Sequence, residues 1–190
     1  EMSLADVHIV APDVAMPVAL HYAMHRDHKA ASILIGDGPG ILPSDDGSLI
    51  KKIVHSGFWR SMVNMTGPRA FVAGAIQLGY LHYSPSAEEV ADYVASYSGR
   101  INQVTAWFKH YPEGLKDIDP HLETLNVPVH VFWGDQDAFL TTDNAARLHK
   151  RLPESALTIF ERCGHFCYQD KEVEFTELVQ TWVNNGHKLG

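Results

Sequence analysis

The order of strand and helix patterns along the chain is the feature that most constrains its fold. Residues 7–11 form a short apolar run that is typical of a strand, and a helical stretch that includes Val18 and Leu20 follows it. A second apolar run, residues 31–35, ends in a glycine-rich turn. A strand, a helix and a strand within about thirty residues indicate a parallel sheet, because parallel strands need a crossover connection.

The same alternation returns near the C-terminus. Residues 127–133 are predicted to be a strand, residues 142–152 a helix, residues 156–160 a strand and residues 172–183 an amphipathic helix. The segments between about residues 41 and 125 are predicted to be helical, and no strand is predicted there. In this region, Ser86 and Glu89 form a capping box, and a helix from Ile101 is predicted to end at Pro112. The sequence therefore predicts core segments at 1–40 and 126–190 and a helical cap at 41–125.

Composition excludes several classes of protein. A net charge of -8 over 190 residues argues against a nucleic-acid surface, which needs a basic face. No run approaches the roughly 18 apolar residues of a membrane span, and the N-terminus lacks the pattern of a signal peptide. We therefore expect a cytoplasmic protein that binds neither nucleic acid nor membrane and acts on a small molecule.

The two cysteines, Cys163 and Cys167, are expected to be reduced thiols. A zinc site with His165 between them is the alternative, but the sequence offers no second cysteine pair to complete it. We expect neither a metal nor a cofactor.

Three of the predicted strands are followed by residues that can carry chemistry. Asp13 follows the first strand, Asp137 closes the turn after residues 127–133, and His165 follows the last strand. In open parallel sheets, ligands bind at the carboxyl ends of the strands. We therefore expect these three side chains to meet beneath the helical segment, which would bring two carboxylates and an imidazole together.

This order of groups resembles the α/β-hydrolase superfamily, in which nucleophile, acid and histidine follow one another along the chain. Ala11-Pro12-Asp13-Val14-Ala15 is similar to the strand-to-helix elbow that holds the nucleophile, with alanines where glycines are usual. The wider stretch, residues 7–20, is similar to the elbows of epoxide hydrolases and haloalkane dehalogenases, which use aspartate there. Residues 127–137 resemble the strand and loop of the acid, and residues 163–166 resemble the histidine loop.

The resemblance implies an α/β-hydrolase fold: a parallel sheet flanked by helices, with a helical cap insertion and with the N-terminal strands absent from this chain. It also implies roles for the three residues. Asp13 would attack an electrophilic carbon of an epoxide or organohalide, and His165, oriented by Asp137, would activate water to hydrolyse the ester. The backbone N–H of Val14 would stabilise the oxyanion.

The chain departs from those enzymes at four points. Pro12 stands where histidine is frequent, and Val14 replaces the tryptophan that donates to a halide. Phe108 occupies the place of a cap tyrosine that protonates the opening epoxide, and phenylalanine has no proton to donate. Another tyrosine could substitute for it, the candidates being Tyr83, Tyr93, Tyr97 and Tyr111. The fourth departure is the absent N-terminal half, which carries part of the oxyanion hole.

The aromatic residues Trp59, Trp107 and Phe139 are candidates for lining an apolar substrate pocket. Packing between the helices of the cap explains such residues equally well. The strand that ends before Asp13 would form an apolar sheet edge. A second chain or a missing N-terminal segment is therefore expected to complete the sheet.

Other interpretations stay open at this point. Asp13 could be only a helix N-cap and Asp137 only a turn residue, while Asp135 is a rival for the acid. The chain could be a non-catalytic binding protein that keeps the fold, an esterase-type hydrolase of the same superfamily, or an oligomeric module that docks through its open sheet edge.

Overall fold

A computed structural model describes residues 6–25, 27, 29–41, 49–185 and 187 of the chain. Residues 1–5, where we expect no signal peptide, lie outside the described part. Four parallel strands form one sheet whose spatial order equals their order in the chain. The strands are β1 (Val7–Pro12), β2 (Ala30–Gly36), β3 (Val129–Gly134) and β4 (Ser155–Phe160). The predicted parallel sheet is confirmed, and all its carboxyl ends lie along one edge.

Helices cover both faces of this sheet. Successive side chains of a strand point to opposite faces, so the apolar side chains on each face pack against helices of their own. On β2, Ile33 and Ile35 belong to one apolar cluster, while Leu34 between them belongs to the other. The first cluster contains buried residues of α1 (Ala15–Ala23) and α6 (Asp143–Arg151), which are the crossovers of the two strand–helix–strand units. The second packs against α7 (Cys167–Asp170) and α8 (Glu172–Asn184).

From residue 49 onwards, the segment between β2 and β3 is mainly helical, with non-helical connections that include residues 80–86 and 98–100. It contains α2 (Leu49–His55), α3 (Gly57–Gly79), α4 (Ala87–Tyr97), α5 (Ile101–Leu115) and a 3₁₀ helix (Asp119–Thr124). The predicted capping box at Ser86 and Glu89 is confirmed at the start of α4. Across the described part of the chain, no helix has both the length and the apolar character needed to cross a membrane.

The prediction that the helix from Ile101 ends at Pro112 is wrong, since α5 continues to Leu115. A proline inside a helix removes one N–H···O bond and costs about 3 kcal/mol. Tyr111 and Leu115 are both buried in the first apolar cluster, and fully burying such a side chain contributes about 1.5–3 kcal/mol. Tertiary packing on both sides of Pro112 therefore offsets the lost hydrogen bond.

The sheet has two edge strands, β1 and β4, and the edge at β1 is apolar. Val10 is 40% exposed, and Val14 and Val18, which follow it into α1, are 48% and 68% exposed. Together with Tyr22 they border a shallow groove of about 420 Å³ between β1 and α1. Unpaired strand edges of this kind attract further polypeptide.

A single carboxylate, that of Asp170 at the end of α7, ties the helical segment to the sheet. It accepts four backbone hydrogen bonds of 2.8 to 3.0 Å, from Leu81, His82, Tyr83 and Gly164. Burial alone would raise the pKa of Asp170, but the four backbone N–H donors outweigh it and hold the pKa below the ordinary range. Asp170 therefore stabilises the fold in its ionised form.

Replacing Asp170 by asparagine should lower the free energy of unfolding at neutral pH by about 2 kcal/mol, because bonds to a charged acceptor are lost. The pKa of Asp170 is lower in the folded state than in the unfolded state. The difference in free energy of unfolding between the two proteins should therefore be largest above the ordinary aspartate pKa of about 3.9, and it should shrink as the pH drops through the folded-state pKa. Chemical denaturation at several pH values measures this. The exposed Asp92→Asn variant is the control, and an equal loss in both variants would contradict the assignment.

Candidate active site

The carboxyl ends of three strands bring Asp13, Asp137 and His165 together. Asp13 directly follows β1, Asp137 lies in the loop after β3, and His165 lies in the loop after β4. The Nδ1 atom of His165 lies 2.8 Å from Oδ2 of Asp137, and its Nε2 atom lies 3.6 Å from Oδ1 of Asp13. The imidazole therefore has a carboxylate beside each ring nitrogen.

The two carboxylates differ in access to solvent. The side chain of Asp137 is 0% exposed and that of His165 is 5% exposed, whereas the side chain of Asp13 is 37% exposed. Only Asp13 is open to an incoming molecule. This is the geometry of a nucleophile in front of a base whose far side is fixed by a buried acid.

The elbow holds Asp13 in a left-handed conformation with φ of 48°. Such a conformation costs a residue other than glycine about 1–2 kcal/mol, so the surrounding contacts must impose it. The Asp13 N–H donates to the carbonyl of Gly36, and the Met16 N–H donates to the carbonyl of Asp13. A Cβ atom on Gly38 would lie 2.1 Å from the Asp13 carbonyl oxygen, so only glycine permits this close approach.

Asp13 is not the N-cap of the helix that follows it. The N-cap of α1 is Val14, and no side chain bonds to the free N–H groups of that turn. The Asp13 side chain instead approaches His165. Val14 is half exposed beside it, where its backbone amide has the place that the resemblance gives to an oxyanion donor.

Asp137 is fixed on all sides. Its Oδ1 atom accepts hydrogen bonds from the backbone N–H groups of Phe139 (2.8 Å) and Leu140 (3.0 Å), which leaves Oδ2 for His165. The rival acid, Asp135, is exposed and accepts the Cys163 N–H at 3.0 Å. Asp135 thus joins two loops, whereas Asp137 contacts the imidazole.

The charges of these residues determine the protonation of His165. Burial alone would lower the pKa of the imidazole, but the negative charges of Asp137 and Asp13 and the hydrogen bonds to both outweigh it. The pKa of His165 is therefore raised well above its ordinary range. This rise favours the protonated form of an imidazole that lies between two carboxyl groups.

The three aromatic residues predicted to line a pocket have different surroundings. The Phe139 ring meets the His165 ring edge-on with centroids 4.9 Å apart. Trp107 stacks on Tyr111 and packs against the first apolar cluster, and Trp59 is 47% exposed beside Phe58. Among the described residues, only Phe139 of these three contacts the triad. Phe166, which the sequence did not single out, lies 4.8 Å from the His165 ring.

The four candidate tyrosines differ in the groups that their side chains contact. Tyr83 donates to Glu89, the Tyr93 hydroxyl accepts from Gln169 at 3.4 Å, and Tyr111 is buried against Trp107. Tyr97 is different, because burial and the negative charge of Asp13 both raise its pKa. Tyr97 therefore lies within electrostatic reach of Asp13.

One ionisable residue of the site was missed in the sequence. Asp37, directly after β2, is 0% exposed, and its Oδ1 atom accepts the Gly134 N–H at 3.2 Å. Burial raises the pKa of Asp37 well above the ordinary range, the positive charge of His165 opposes the rise, and the negative charge of Asp137 adds to it. The signal that could have found it is its position, since it too follows a strand.

Cys163 and Cys167 are free and buried on either side of the histidine loop. Over the residues that the structure describes, no group of three or more histidine, cysteine, aspartate or glutamate side chains is arranged to hold a metal ion. The described site thus consists of carboxylates, an imidazole and aromatic rings.

Comparison with known proteins finds hydrolases among the proteins to which the chain is similar. No protein-family model matches the chain. It is 34% identical over 74 residues to a 2-hydroxy-6-oxononadienedioate/2-hydroxy-6-oxononatrienedioate hydrolase of Dechloromonas aromatica, a match that covers 39% of this chain and 26% of that relative. It is 20% identical over 198 residues to a 2-hydroxy-6-oxo-6-phenylhexa-2,4-dienoate hydrolase of Delftia acidovorans, which covers 97% of this chain and 65% of the relative.

The chain therefore spans between about a quarter and two thirds of the length of these relatives. Among solved structures, a serine hydrolase from the polyaromatic-hydrocarbon-degrading bacterium Cycloclasticus zankles superimposes with a TM-score of 0.75 at 15% identity, covering 96% of this chain and 65% of that one. An α/β-hydrolase enzyme from a Medee basin deep-sea metagenome library superimposes with a TM-score of 0.65 at 16% identity, covering 96% of this chain and 66% of that one. The strand order, the helices on both faces and these two superpositions together show that the chain has the fold of the α/β-hydrolases.

Proposed function

We propose that the chain carries the nucleophile, acid and base of a hydrolase that works through a covalent ester on Asp13. The observation that carries the proposal is the partly exposed Asp13 carboxylate, held on a strained turn 3.6 Å from Nε2 of a buried histidine. Similarity to curated hydrolases supports hydrolysis as the type of reaction.

The nucleophile indicates the class of substrate. A carboxylate that attacks a carbonyl group would give a reactive anhydride, whereas one that attacks a saturated carbon gives an ordinary ester. We therefore propose a small apolar epoxide or organohalide as substrate. One Asp13 oxygen forms a bond to the electrophilic carbon, and the electron pair of the breaking bond leaves on the epoxide oxygen or on the halide.

Hydrolysis of the ester depends on the negative charge that Asp13 loses when the ester forms. Esterified Asp13 is neutral, so one of the two anions that hold the proton on His165 is lost and the pKa of the imidazole falls. His165 can then release its proton to solvent and take one from a water molecule as that water attacks the carbonyl carbon of the ester, with Asp137 stabilising the imidazolium and the Val14 N–H stabilising the oxyanion. When the tetrahedral intermediate collapses, the bond between this carbon and the alkyl oxygen breaks, the departing alkoxide takes the proton from His165, and the Asp13 carboxylate is restored.

Tyr97 favours an epoxide over a halide. An epoxide leaves an alkoxide on the product, which needs a proton, whereas a departing halide needs none. Tyr97 is the last residue of α4, and the negative charge of Asp13 contributes to the rise in its pKa. We propose that Tyr97 donates this proton in place of the family tyrosine that Phe108 replaces.

An esterase-type activity is the alternative that the comparisons favour, because a serine hydrolase and an esterase are among the structures with this fold. In that reaction Asp13 would not be alkylated. Covalent trapping on Asp13 therefore distinguishes the two reactions.

We also propose that further polypeptide covers the exposed edge of β1, in the same chain or in another one. Val10, Val14 and Val18 are exposed along one groove beside β1, and contiguous apolar surface of this kind marks contacts with other polypeptide. This edge lies directly beside the elbow, so the covering segment is placed to supply a second oxyanion donor.

Replacing His165 by alanine should let the ester accumulate, because its hydrolysis loses a base worth about 10²–10⁴-fold in rate. We expect intact-protein mass spectrometry to show one added substrate mass after incubation with a small epoxide, and peptide mapping to locate it on Asp13. His110→Ala, which removes an exposed histidine, is the control and should show no accumulation. A His165→Ala protein that stays unmodified with epoxides and organohalides would end the proposal.

Replacing Tyr97 by phenylalanine in the His165→Ala background should slow adduct formation from an epoxide by about 10²-fold. Adduct formation from an organohalide should change little, since halide departure needs no proton. Tyr83→Phe is the control, because the Tyr83 hydroxyl donates to Glu89. Equal slowing with both substrates would mean that Tyr97 acts on folding or binding and not as an acid.

A further inference from the structure

All four strands of the sheet, and not only three, end beside the imidazole or its partners. Asp37 follows β2 and lies between the elbow and the acid loop. The backbone of its neighbour Gly38 is in contact with Asp13, and its own Oδ1 atom accepts the N–H of Gly134, where the loop that carries Asp137 begins. The carboxyl group of Asp37 thus connects the two parts of the chain that flank His165.

The groups around Asp37 compensate a full negative charge only in part, because burial outweighs the effects of His165, the Cys167 thiol and the Gly134 N–H on its pKa. Its side chain is completely buried, and Oδ2 has no hydrogen-bond partner in the described part of the protein. The ionisable groups that interact electrostatically with the Asp37 carboxyl group are His165, Asp137, Cys167 and Tyr168. Among them Asp137 raises the pKa of Asp37 by its charge, and His165, which lowers that pKa, already lies between Asp13 and Asp137. A buried carboxylate with one bare oxygen is costly, and protonation removes that cost.

We propose that Asp37 is a positioning residue that works in its neutral, protonated form. It fixes the start of the Asp137 loop through Gly134 and adds no charge beside His165. The consequence for catalysis rests on the proposed function. After Asp13 is esterified, His165 faces one anion only and can act as a base, whereas an ionised Asp37 would supply a second anion and keep the imidazole protonated.

The protonation state can be observed without a substrate. A protonated carboxylic acid has an infrared carbonyl stretch that is separate from the carboxylate bands. We expect this band in the unliganded protein at neutral pH and expect Asp37→Asn to remove it. Asp135→Asn, which changes an exposed carboxylate that also accepts one backbone N–H, should keep the band. Absence of the band from the unmodified protein, or its persistence in Asp37→Asn, would overturn the proposal.

Stability gives a second readout with a defined sign. If Asp37 stays protonated when folded and ionises when unfolded, the unmodified protein loses stability as the pH rises above about 3.9. Asparagine cannot ionise, so the stability of Asp37→Asn relative to the unmodified protein should improve between pH 4 and 7. A relative stability that instead worsens over this range would show that the native carboxyl is ionised. Should Asp37→Asn not fold, raising the pH of the unmodified protein should convert the acid band to a carboxylate band.

The rates of ester formation and hydrolysis distinguish the role of Asp37 from the roles of Asp13, Asp137 and His165. Asp37→Asn keeps an acceptor for Gly134 and should form and hydrolyse the Asp13 ester within about threefold of the normal rate, whereas Asp37→Leu should lose about tenfold. Rescue by asparagine but not by leucine supports positioning, and a pH profile that shifts in Asp37→Asn opposes it. A protonated Asp37 in a protein that never forms an ester would leave this assignment of its charge state intact and refute the proposed function.

Discussion

The arrangement depends on one buried imidazole between two carboxylates of unequal exposure. His165 has lost most of its contact with water, and its proton is stabilised only by Asp137 on one side and Asp13 on the other. In the reaction that we propose, the substrate reaches Asp13, and esterification of Asp13 removes one of the two negative charges beside His165. This contact would then determine when the histidine can act as a base.

The parallel sheet makes this contact possible. Strands that run in one direction end along one edge, so residues more than a hundred positions apart in the chain come to lie within a few ångström. Close approach of the loops needs glycine at particular places. A Cβ atom on Gly134 would lie 2.0 Å from the Gly164 carbonyl oxygen, and one on Gly38 would lie equally close to Asp13. Asp170 holds the connection between α3 and α4 against the same histidine loop.

Much of this could be predicted from the sequence, because it depends on local patterns. Alternating strand and helix runs predicted the sheet, and their ends pointed to Asp13, Asp137 and His165. Asp37 was missed because Gly36-Asp37-Gly38-Pro39-Gly40 fits a simple turn, and nothing local shows that its carboxyl is buried. The end of α5 was misplaced because the packing of Leu115 outweighs the effect of Pro112. The surroundings of Trp59, Trp107 and Tyr97 depend on how cap helices pack, which local patterns do not encode.

The origin of the oxygen in the product tests the central claim most directly. In a single turnover in water enriched in heavy oxygen, an ester on Asp13 requires the first product molecule to carry an oxygen from the carboxylate. The label from water should then appear in the Asp13 side chain, where mass spectrometry of the elbow peptide can detect it. Label in the first product and none in Asp13 would mean that water attacks the substrate directly, and Asp13 would not be a nucleophile.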